Sequence, residues 1–266
     1  MKDWLGIKGK VYLITGGSSG IGKAIVEALL KEETIVVNLD IQDSELTDKN
    51  YLFIKTDVTN RQAVETAVDE VVGKFGTIDG VVNNAGINIP ALLVDPKDKH
   101  GKYELSDDSF DKMTSINQKG LFLVAQTVGR ILVAKKSGVI INMASEAGLE
   151  GSEGQGAYSG TKAAVIGYTR SWAKELGKYN VRVVGIAPGI MEETGLRTLA
   201  YEEALSYTRG KTVEELRKGY ANTSATPLGR SGKLSEVADL VCYYLSDRSS
   251  YITGITTNIA GGKSRG

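Results

Sequence analysis

The chain has 266 residues, and its 32 Lys and Arg residues balance its 32 Asp and Glu residues, so the formal net charge is zero. Without a net field, and with one cysteine and one histidine, we expect no nucleic-acid partner, no membrane partner, no disulfide framework and no metal. The polar first residues do not resemble a signal peptide and no apolar run reaches the ~18 residues of a membrane span, which favours a cytoplasmic protein.

Short apolar runs alternate with helical patterns along the chain. This alternation is typical of an α/β fold with a doubly wound, parallel sheet and helices on both faces. No linker or composition shift divides the chain, so we expect a single domain over residues 1–266. The predicted strands cover 10–15, 34–39, 51–55, 79–84, 138–143, 181–187 and 254–259, and the predicted helices cover about 20–31, 60–75, 106–134, 157–178 and 235–246.

A glycine-rich turn separates the first predicted strand from the first predicted helix. Glycines let the backbone approach a pyrophosphate, and the start of a helix offers N–H groups and a positive dipole end. The spacing G-x-x-x-G-x-G departs from the usual G-x-G-x-x-G, so the position between strand and helix carries the interpretation. We expect a dinucleotide to contact Gly16, Ser18, Ser19, Gly20, Ile21 and Gly22.

The second predicted strand ends beside Asp40. A carboxylate at that place accepts hydrogen bonds from ribose hydroxyls and repels the 2′-phosphate of NADP. No Arg or Lys lies in the glycine turn or directly after Asp40 to attract that phosphate. The sequence therefore favours NAD, although an ordinary aspartate at a strand end is the alternative.

Tyr158 and Lys162 lie one turn apart on a predicted helix, so they share a face. A phenol normally loses its proton near pH ~10, and a nearby lysine lowers that pKa. Such a tyrosine can take a proton from a substrate hydroxyl or return one to an alkoxide. The same spacing occurs by chance in long helices, so this interpretation depends on the rest of the site.

The motifs together resemble the short-chain dehydrogenase/reductase family in order and spacing, over about residues 8–262. The resemblance implies a Rossmann fold with a seven-stranded parallel sheet, an oxidoreductase acting on a CH–OH group, and NAD as cofactor. It also implies a homotetramer that uses the 106–134 and 157–178 helices and the last strand as interfaces. The motifs are Thr15-Gly-x-x-x-Gly-x-Gly22, Asn83-Asn-Ala-Gly86, Asn117, Ser145, Tyr158-x-x-x-Lys162 and Pro188-Gly189.

The resemblance assigns roles to four catalytic candidates. Tyr158 matches the general acid/base, and Lys162 matches the lysine that lowers its pKa and holds the nicotinamide ribose. Ser145 matches the residue that hydrogen-bonds the substrate oxygen, and Asn117 matches the asparagine that supports a water linking the lysine to solvent. Taken alone, Ser145 is an ordinary turn former and Asn117 an ordinary partner of a helix backbone group.

Other cofactor contacts also follow from the resemblance. Asp57 and Val58 match the pair beside the adenine, and Ile190 matches a backbone contact of the carboxamide. The family usually has a threonine five residues after the proline, but Glu193 stands there. Either Thr194 takes that role after a shift in the loop, or the contact is absent. The remaining expected contacts are Asn84, Ala85, Gly86, Tyr158, Lys162, Pro188 and Gly189.

Two segments, 88–104 and 190–225, interrupt the strand–helix alternation, and we expect them to shape the substrate site. A substrate phosphate would suit arginine forks. The second segment also holds six glutamates, so a solvated helical lid is the alternative. Lys263 or Arg265 near the chain end is a further candidate, acting in trans, and His100 is expected at the surface. The basic residues of the second segment are Arg197, Arg209, Lys211, Arg217 and Lys218.

Within the family, the overall likeness is to enzymes that interconvert a polyol phosphate and a keto-sugar phosphate with NAD. This makes a small molecule, in particular a sugar phosphate, the expected substrate. Reduction of another keto sugar or of a 3-oxoacyl thioester is the alternative within enzymes. A non-catalytic NAD-binding module is the alternative outside them.

Overall fold

The computed structural model describes residues 3–195, 197–221 and 226–264. Within these residues, seven strands form one sheet in the order β3-β2-β1-β4-β5-β6-β7, and every neighbouring pair is parallel. All seven predicted strands are confirmed to within two residues at each end. They are β1 (Val11–Thr15), β2 (Ile35–Asp40), β3 (Tyr51–Lys55), β4 (Gly80–Asn83), β5 (Gly138–Met143), β6 (Val181–Pro188) and β7 (Thr256–Ile259).

Helices cover both faces of the sheet, which confirms the doubly wound α/β fold. Helices α1 and α9 pack on one face and α2, α4 and α6 pack on the other. Every residue of β1 and β4 is buried, as expected for central strands of a parallel sheet. The helices are α1 (Gly20–Lys31), α2 (Arg61–Phe75), α3 (Asp107–Thr114), α4 (Leu121–Lys135), α5 (Ala147–Glu150), α6 (Gly156–Leu176), α7 (Leu199–Thr208), α8 (Val213–Ala221) and α9 (Leu234–Leu245).

The predicted helix over 106–134 is confirmed with one irregularity. A π-helical segment, Ser115–Gly120, joins α3 to α4 without a break in the chain's helical course. Such wider turns are rare and occur often at functional sites. The segment carries Asn117, which is buried.

The 190–225 segment contains α7 and α8, which the sequence pattern did not separate from the surrounding loop. The 88–104 segment packs against α7. The Tyr207 hydroxyl donates to Asp95 at 2.7 Å, and the Tyr207 ring stacks on Tyr103 with centroids 4.3 Å apart. The two segments therefore meet above the carboxyl edge of the sheet. In the described part of the chain, no helix is long and apolar enough to cross a membrane.

Candidate active site

A cavity of about 560 Å³ lies at the carboxyl ends of the strands. It spans the point between β1 and β4 where the strand order reverses, which is the usual ligand site of a doubly wound sheet. The glycine turn and Asp40 border one end of the cavity. Ser145, Tyr158 and residues of the 190–225 segment border the other parts. We call this segment, with its helices α7 and α8, the lid.

The glycine turn is shaped for an anion. Gly16 and Gly20 have φ values of +68° and +53°, which favour glycine. A Cβ on Gly22 would lie 2.0 Å from the carbonyl oxygen of Gly16, so that close approach also requires glycine. Ser19 precedes α1 without a side-chain hydrogen bond to the helix, and the first N–H groups of α1 have no partner within the helix. These features fit the pyrophosphate of a dinucleotide.

Hydrogen bonds join the glycine turn to the loop after β4. The Thr15 hydroxyl oxygen accepts from the N–H groups of Asn84 and Ala85, both at 3.0 Å. In return, the Asn84 amide donates to the carbonyl oxygens of Thr15 and Gly16 at 3.1 and 3.0 Å. The Asn83-Asn-Ala-Gly86 motif thus fixes the turn on which the cofactor is expected to rest.

Asp40 lies at the end of β2 with its carboxylate held in place. One oxygen accepts from the N–H of Ser18 at 2.9 Å and the other from the N–H of Gln42 at 3.0 Å. Asp40 borders the cavity but is only 9% exposed. A carboxylate fixed at this place can accept hydrogen bonds from a pair of ribose hydroxyls.

Tyr158, Ser145 and Lys162 all border the cavity. Lys162 is 5% exposed, and its ammonium donates to the carbonyl oxygen of Met143 at 2.8 Å and lies 5.8 Å from the centroid of the Tyr158 ring. Burial lowers the pKa of Lys162 to about 8. The ammonium is therefore held at the centre of the site at a considerable desolvation cost.

The pKa of Tyr158 moves in the direction opposite to the one expected from the sequence. Burial raises the pKa of the phenol, and a hydrogen bond with Ser145 partly offsets that rise. The expected lowering by Lys162 is not found, because desolvation of the phenolate is the larger effect. Burial therefore favours the phenol of Tyr158 over its phenolate.

Asn117 lies behind the cavity wall rather than in it. Its amide oxygen accepts from the N–H of Ile87 at 2.8 Å, and its amide nitrogen donates to the Ile87 carbonyl at 2.9 Å and to Thr161 at 3.0 Å. The side chain satisfies a loop backbone rather than the backbone of its own helix. It fastens the π-helical segment to the loop after β4 and to α6.

Most of the predicted site residues meet in this one cavity. Ser18, Gly22 and Asn117 lie outside the cavity wall. The Ser18 hydroxyl donates to the Gln42 carbonyl and accepts from the Asn38 amide. Thr194 lies beside the glycine turn, 3.4 Å from the place that a Cβ on Gly20 would occupy. The predicted residues on the wall are Gly16, Ser19, Gly20, Ile21, Asp40, Asp57, Val58, Asn84, Ala85, Gly86, Ser145, Tyr158, Lys162, Pro188, Gly189, Ile190 and Thr194.

Glu146 and Gln155 are among the wall residues that the sequence did not predict. Glu146 is 7% exposed, directly follows Ser145, and pairs with Lys263. Gln155 donates to the hydroxyl of Tyr201 at 2.8 Å. The position of Glu146 beside Ser145 at the end of β5 was a usable signal. No sequence signal pointed to Gln155, because its partner, Tyr201, lies far along the chain on α7.

The basic candidates differ in their partners. Arg197 and Arg217 share Glu202 at 2.9 and 2.6 Å. Lys263 borders the cavity of its own chain, and Arg265 lies outside the described residues. His100 does not border the cavity; its side chain is 81% exposed and lies 3.3 Å from Glu104.

The fold and the site define an oxidoreductase of the Rossmann type that acts on CH–OH groups. A family model described as short chain dehydrogenase matches residues 10–204, so the chain belongs to the short-chain dehydrogenase/reductase family.

Three similar proteins place the chain within that family. A sorbitol-6-phosphate 2-dehydrogenase of Klebsiella pneumoniae is 56% identical, covering 100% of both chains. A 3-oxoacyl-[acyl-carrier-protein] reductase of Thermotoga maritima is 38% identical over 96% of this chain and 98% of that protein. The structure of an NAD+-bound xylitol dehydrogenase superimposes with a TM-score of 0.83 at 30% identity, covering 97% of this chain and 100% of that one.

Proposed function

We propose that this protein interconverts sorbitol 6-phosphate and fructose 6-phosphate with NAD as the redox partner. The observation that carries the proposal is the 56% identity to the Klebsiella pneumoniae sorbitol-6-phosphate 2-dehydrogenase over the full length of both chains. The juxtaposition of Ser145, Tyr158 and Lys162 in one cavity supports the chemistry.

In the oxidation, the phenolate form of Tyr158 takes the proton of the C2 hydroxyl. In the reduction, the neutral phenol returns that proton to the oxygen of the developing alkoxide. Ser145 donates a hydrogen bond to the same oxygen and stabilises its negative charge. When bound, the nicotinamide supplies the acceptor or donor of the hydride.

Lys162 and Asn117 have supporting roles in the proposed reaction. The Lys162 ammonium provides positive charge beside Tyr158 and a donor for the nicotinamide ribose. Asn117 holds the loop at Ile87 against Thr161 on the helix that carries Tyr158, so we assign it a positioning role. A water that links Lys162 to solvent would complete the proton route.

NAD is preferred over NADP in this proposal because of Asp40. The backbone N–H groups of Ser18 and Gln42 hold its carboxylate at the cavity wall. The other proposed contacts follow the wall: the glycine turn for the pyrophosphate, Asp57 and Val58 for the adenine, and Ile190 and Thr194 for the nicotinamide end. Asp57 has one oxygen engaged with Thr59 at 2.8 Å.

A second candidate function is reduction of a 3-oxoacyl thioester, favoured by the 38% identity to the Thermotoga maritima reductase. A non-catalytic NAD-binding module is disfavoured, since all four catalytic positions are retained.

The test is a substrate panel on the purified protein. NADH formation is measured with sorbitol 6-phosphate, other hexitol phosphates and the free hexitols, and each reaction is repeated with NADP. Reduction of a 3-oxoacyl thioester is measured with NADH and NADPH. The proposal requires the highest kcat/KM with sorbitol 6-phosphate and NAD. Turnover of only a phosphate-free alcohol or of the thioester would refute it.

We also propose a homotetramer, in line with the family. Phe122 on α4 is 37% exposed, and Tyr168 stacks on Trp172 along α6 with centroids 5.3 Å apart. These aromatic residues lie on the helices expected at the interface. Light scattering on the purified protein measures the mass, and a mass of one 28.4 kDa chain would contradict the proposal.

A further inference from the structure

Arg209 follows the last residue of α7 and borders the cavity. Its guanidinium donates to the Ser152 hydroxyl at 3.1 Å and to the Glu153 carbonyl at 3.4 Å. Within residues 3–195, 197–221 and 226–264, no carboxylate forms an ion pair with it. Arg209 therefore carries a charge that the surrounding protein does not neutralise.

The other cations of the cavity wall are already engaged. Arg197 pairs with Glu202 and stacks on the Tyr220 ring, 4.1 Å from its centroid. Lys263 pairs with Glu146, and Lys162 is bonded to the backbone at the reacting end of the site. The wall also contains several carboxylates, Glu146, Glu150, Glu192 and Glu193 among them. An anionic substrate thus needs a dedicated cation, and among the described wall residues Arg209 is, apart from Lys162 at the reacting end, the cation without an acidic partner.

The end of α7 is clamped, so Arg209 has a defined position. A Cβ on Gly154 would lie 2.0 Å from the Thr208 hydroxyl oxygen, which shows how closely α7 packs on the turn before α6. On its other side, α7 is held by the hydrogen bond from Tyr207 to Asp95. A group held in place in advance loses less conformational freedom when its ligand binds.

Tyr201, Arg209 and Tyr158 all border the cavity. Arg209 is hydrogen-bonded to Ser152 and to the Glu153 carbonyl, whereas Tyr158 is hydrogen-bonded to Ser145, so the two side chains occupy different parts of the cavity wall. This separation suits a substrate that reacts at one carbon and carries a charge at its far end.

We propose that Arg209, together with the Ser152 hydroxyl, binds the phosphoryl group of the substrate. A guanidinium offers a planar fork of donors that matches phosphate oxygens. The Ser152 oxygen accepts from Arg209 and keeps its own proton to donate to the phosphate. This assignment rests on the proposed function and makes Arg209 the residue that selects a polyol phosphate over a free polyol.

The test compares Arg209→Gln and Arg209→Lys with the parent protein. Lys218→Gln is the matched control, because Lys218 also lies on the lid but pairs with Glu214 and has a side chain 73% exposed. Steady-state kinetics are measured with sorbitol 6-phosphate and with sorbitol, and the KM of NAD is measured for each variant. Thermal unfolding checks folding, and NADH fluorescence gives the Kd of sorbitol 6-phosphate on the protein–NADH complex.

Arg209→Gln is expected to weaken kcat/KM and Kd for sorbitol 6-phosphate by about 10- to 100-fold, since a hydrogen-bonded charge is lost. Its activity on sorbitol and its KM for NAD should change by less than about threefold. Arg209→Lys should fall between the parent and Arg209→Gln, because it keeps the charge but loses the fork. Lys218→Gln should behave as the parent.

The outcomes separate the two proposals. If the parent prefers sorbitol 6-phosphate and Arg209→Gln keeps that preference, the assignment of Arg209 is wrong and the proposed function stands. If the parent shows no preference for the phosphorylated polyol, the proposed function fails and the assignment fails with it. An equal loss on sorbitol and sorbitol 6-phosphate would mean that Arg209 only holds the lid, which also overturns the assignment.

Discussion

The ammonium of Lys263 lies 2.5 Å from a carboxylate oxygen of Glu146. Lys263 follows β7, and Glu146 follows Ser145 at the end of β5, so the ion pair ties the segment after the last strand to the wall of the active site. The Glu146 side chain is 10% exposed and that of Lys263 is 32% exposed. Both charges are therefore partly desolvated and depend on one another.

We expect this pair to stabilise the fold measurably. Lys263→Met and Glu146→Gln should each lower the free energy of unfolding, because each leaves a partly buried charge or acceptor without its partner. A double-mutant cycle by urea denaturation should give a coupling free energy of about 1–2 kcal/mol. Additive effects of the two substitutions would show that the interaction between Lys263 and Glu146 contributes nothing to the free energy of unfolding.

Asp40 is expected to decide the cofactor preference. Asp40→Asn removes the charge that repels a 2′-phosphate, so the ratio of kcat/KM for NAD to that for NADP should fall by about tenfold or more. Asp43→Asn is the control, since Asp43 has a side chain 81% exposed and pairs with Lys55. A ratio that Asp40→Asn leaves unchanged would remove Asp40 from the cofactor site.

The buried Lys162 makes the stability depend on pH. Its pKa is lowered from 10.5 to about 8 by burial. Below pH 8 the lysine is charged in both the folded and the unfolded protein, and the folded protein bears the full desolvation cost of that charge. Between pH 8 and pH 10.5 the unfolded chain binds more protons, so this cost disappears as the pH rises.

Lys162→Met should therefore be more stable than the parent at pH 7 in the absence of nucleotide. That advantage should shrink by about 3 kcal/mol between pH 7 and pH 10.5. Urea unfolding of both proteins at the two pH values measures the difference. Parallel pH dependences would show that Lys162 does not have a depressed pKa.

Ser145 is expected to set the alkaline behaviour of the oxidation. In the proposed mechanism the phenolate of Tyr158 is the base, and the hydrogen bond from Ser145 lowers the pKa of Tyr158, which burial raises. Ser145→Ala should shift the rising limb of kcat/KM for alcohol oxidation to higher pH. It should also reduce kcat by about 100-fold through loss of the donor to the substrate oxygen. A limb that stays in place or moves to lower pH would contradict this role.

The strands and the position of the glycine turn could be predicted because their signals are local. Each strand is a short apolar run between turn residues, and residues 16–22 lie between a strand and a helix. The contacts of Lys263 and of the arginines in the 190–225 segment could not be predicted in the same way. Lys263 and Glu146 are 117 positions apart. Arg197 and Arg217 share Glu202, whereas Arg209 has no acidic partner among the described residues, and only the packing of the lid reveals this difference.

The pKa of Tyr158 is a second property that could not be predicted from the sequence. The spacing of Tyr158 and Lys162 on one helix face indicates attraction between phenolate and ammonium. Burial acts on the phenolate in the opposite direction and is the largest effect, and burial depends on how the rest of the chain packs around the side chain. A four-residue spacing contains no information about that packing.

Tyr158→Phe tests the central claim most directly. This substitution removes one hydroxyl group. Tyr168→Phe is the matched control, because it removes a tyrosine hydroxyl from the same helix. The Tyr168 hydroxyl donates to Gln118 at 3.0 Å, and Tyr168 does not border the cavity. The measurement is kcat for NADH formation from sorbitol 6-phosphate, with NADH affinity as the check on folding. We predict a loss of about 10²- to 10⁴-fold for Tyr158→Phe with NADH affinity retained, and near-parental activity for Tyr168→Phe. Activity of Tyr158→Phe within a few-fold of the parent would contradict the assignment of Tyr158 as the general acid/base.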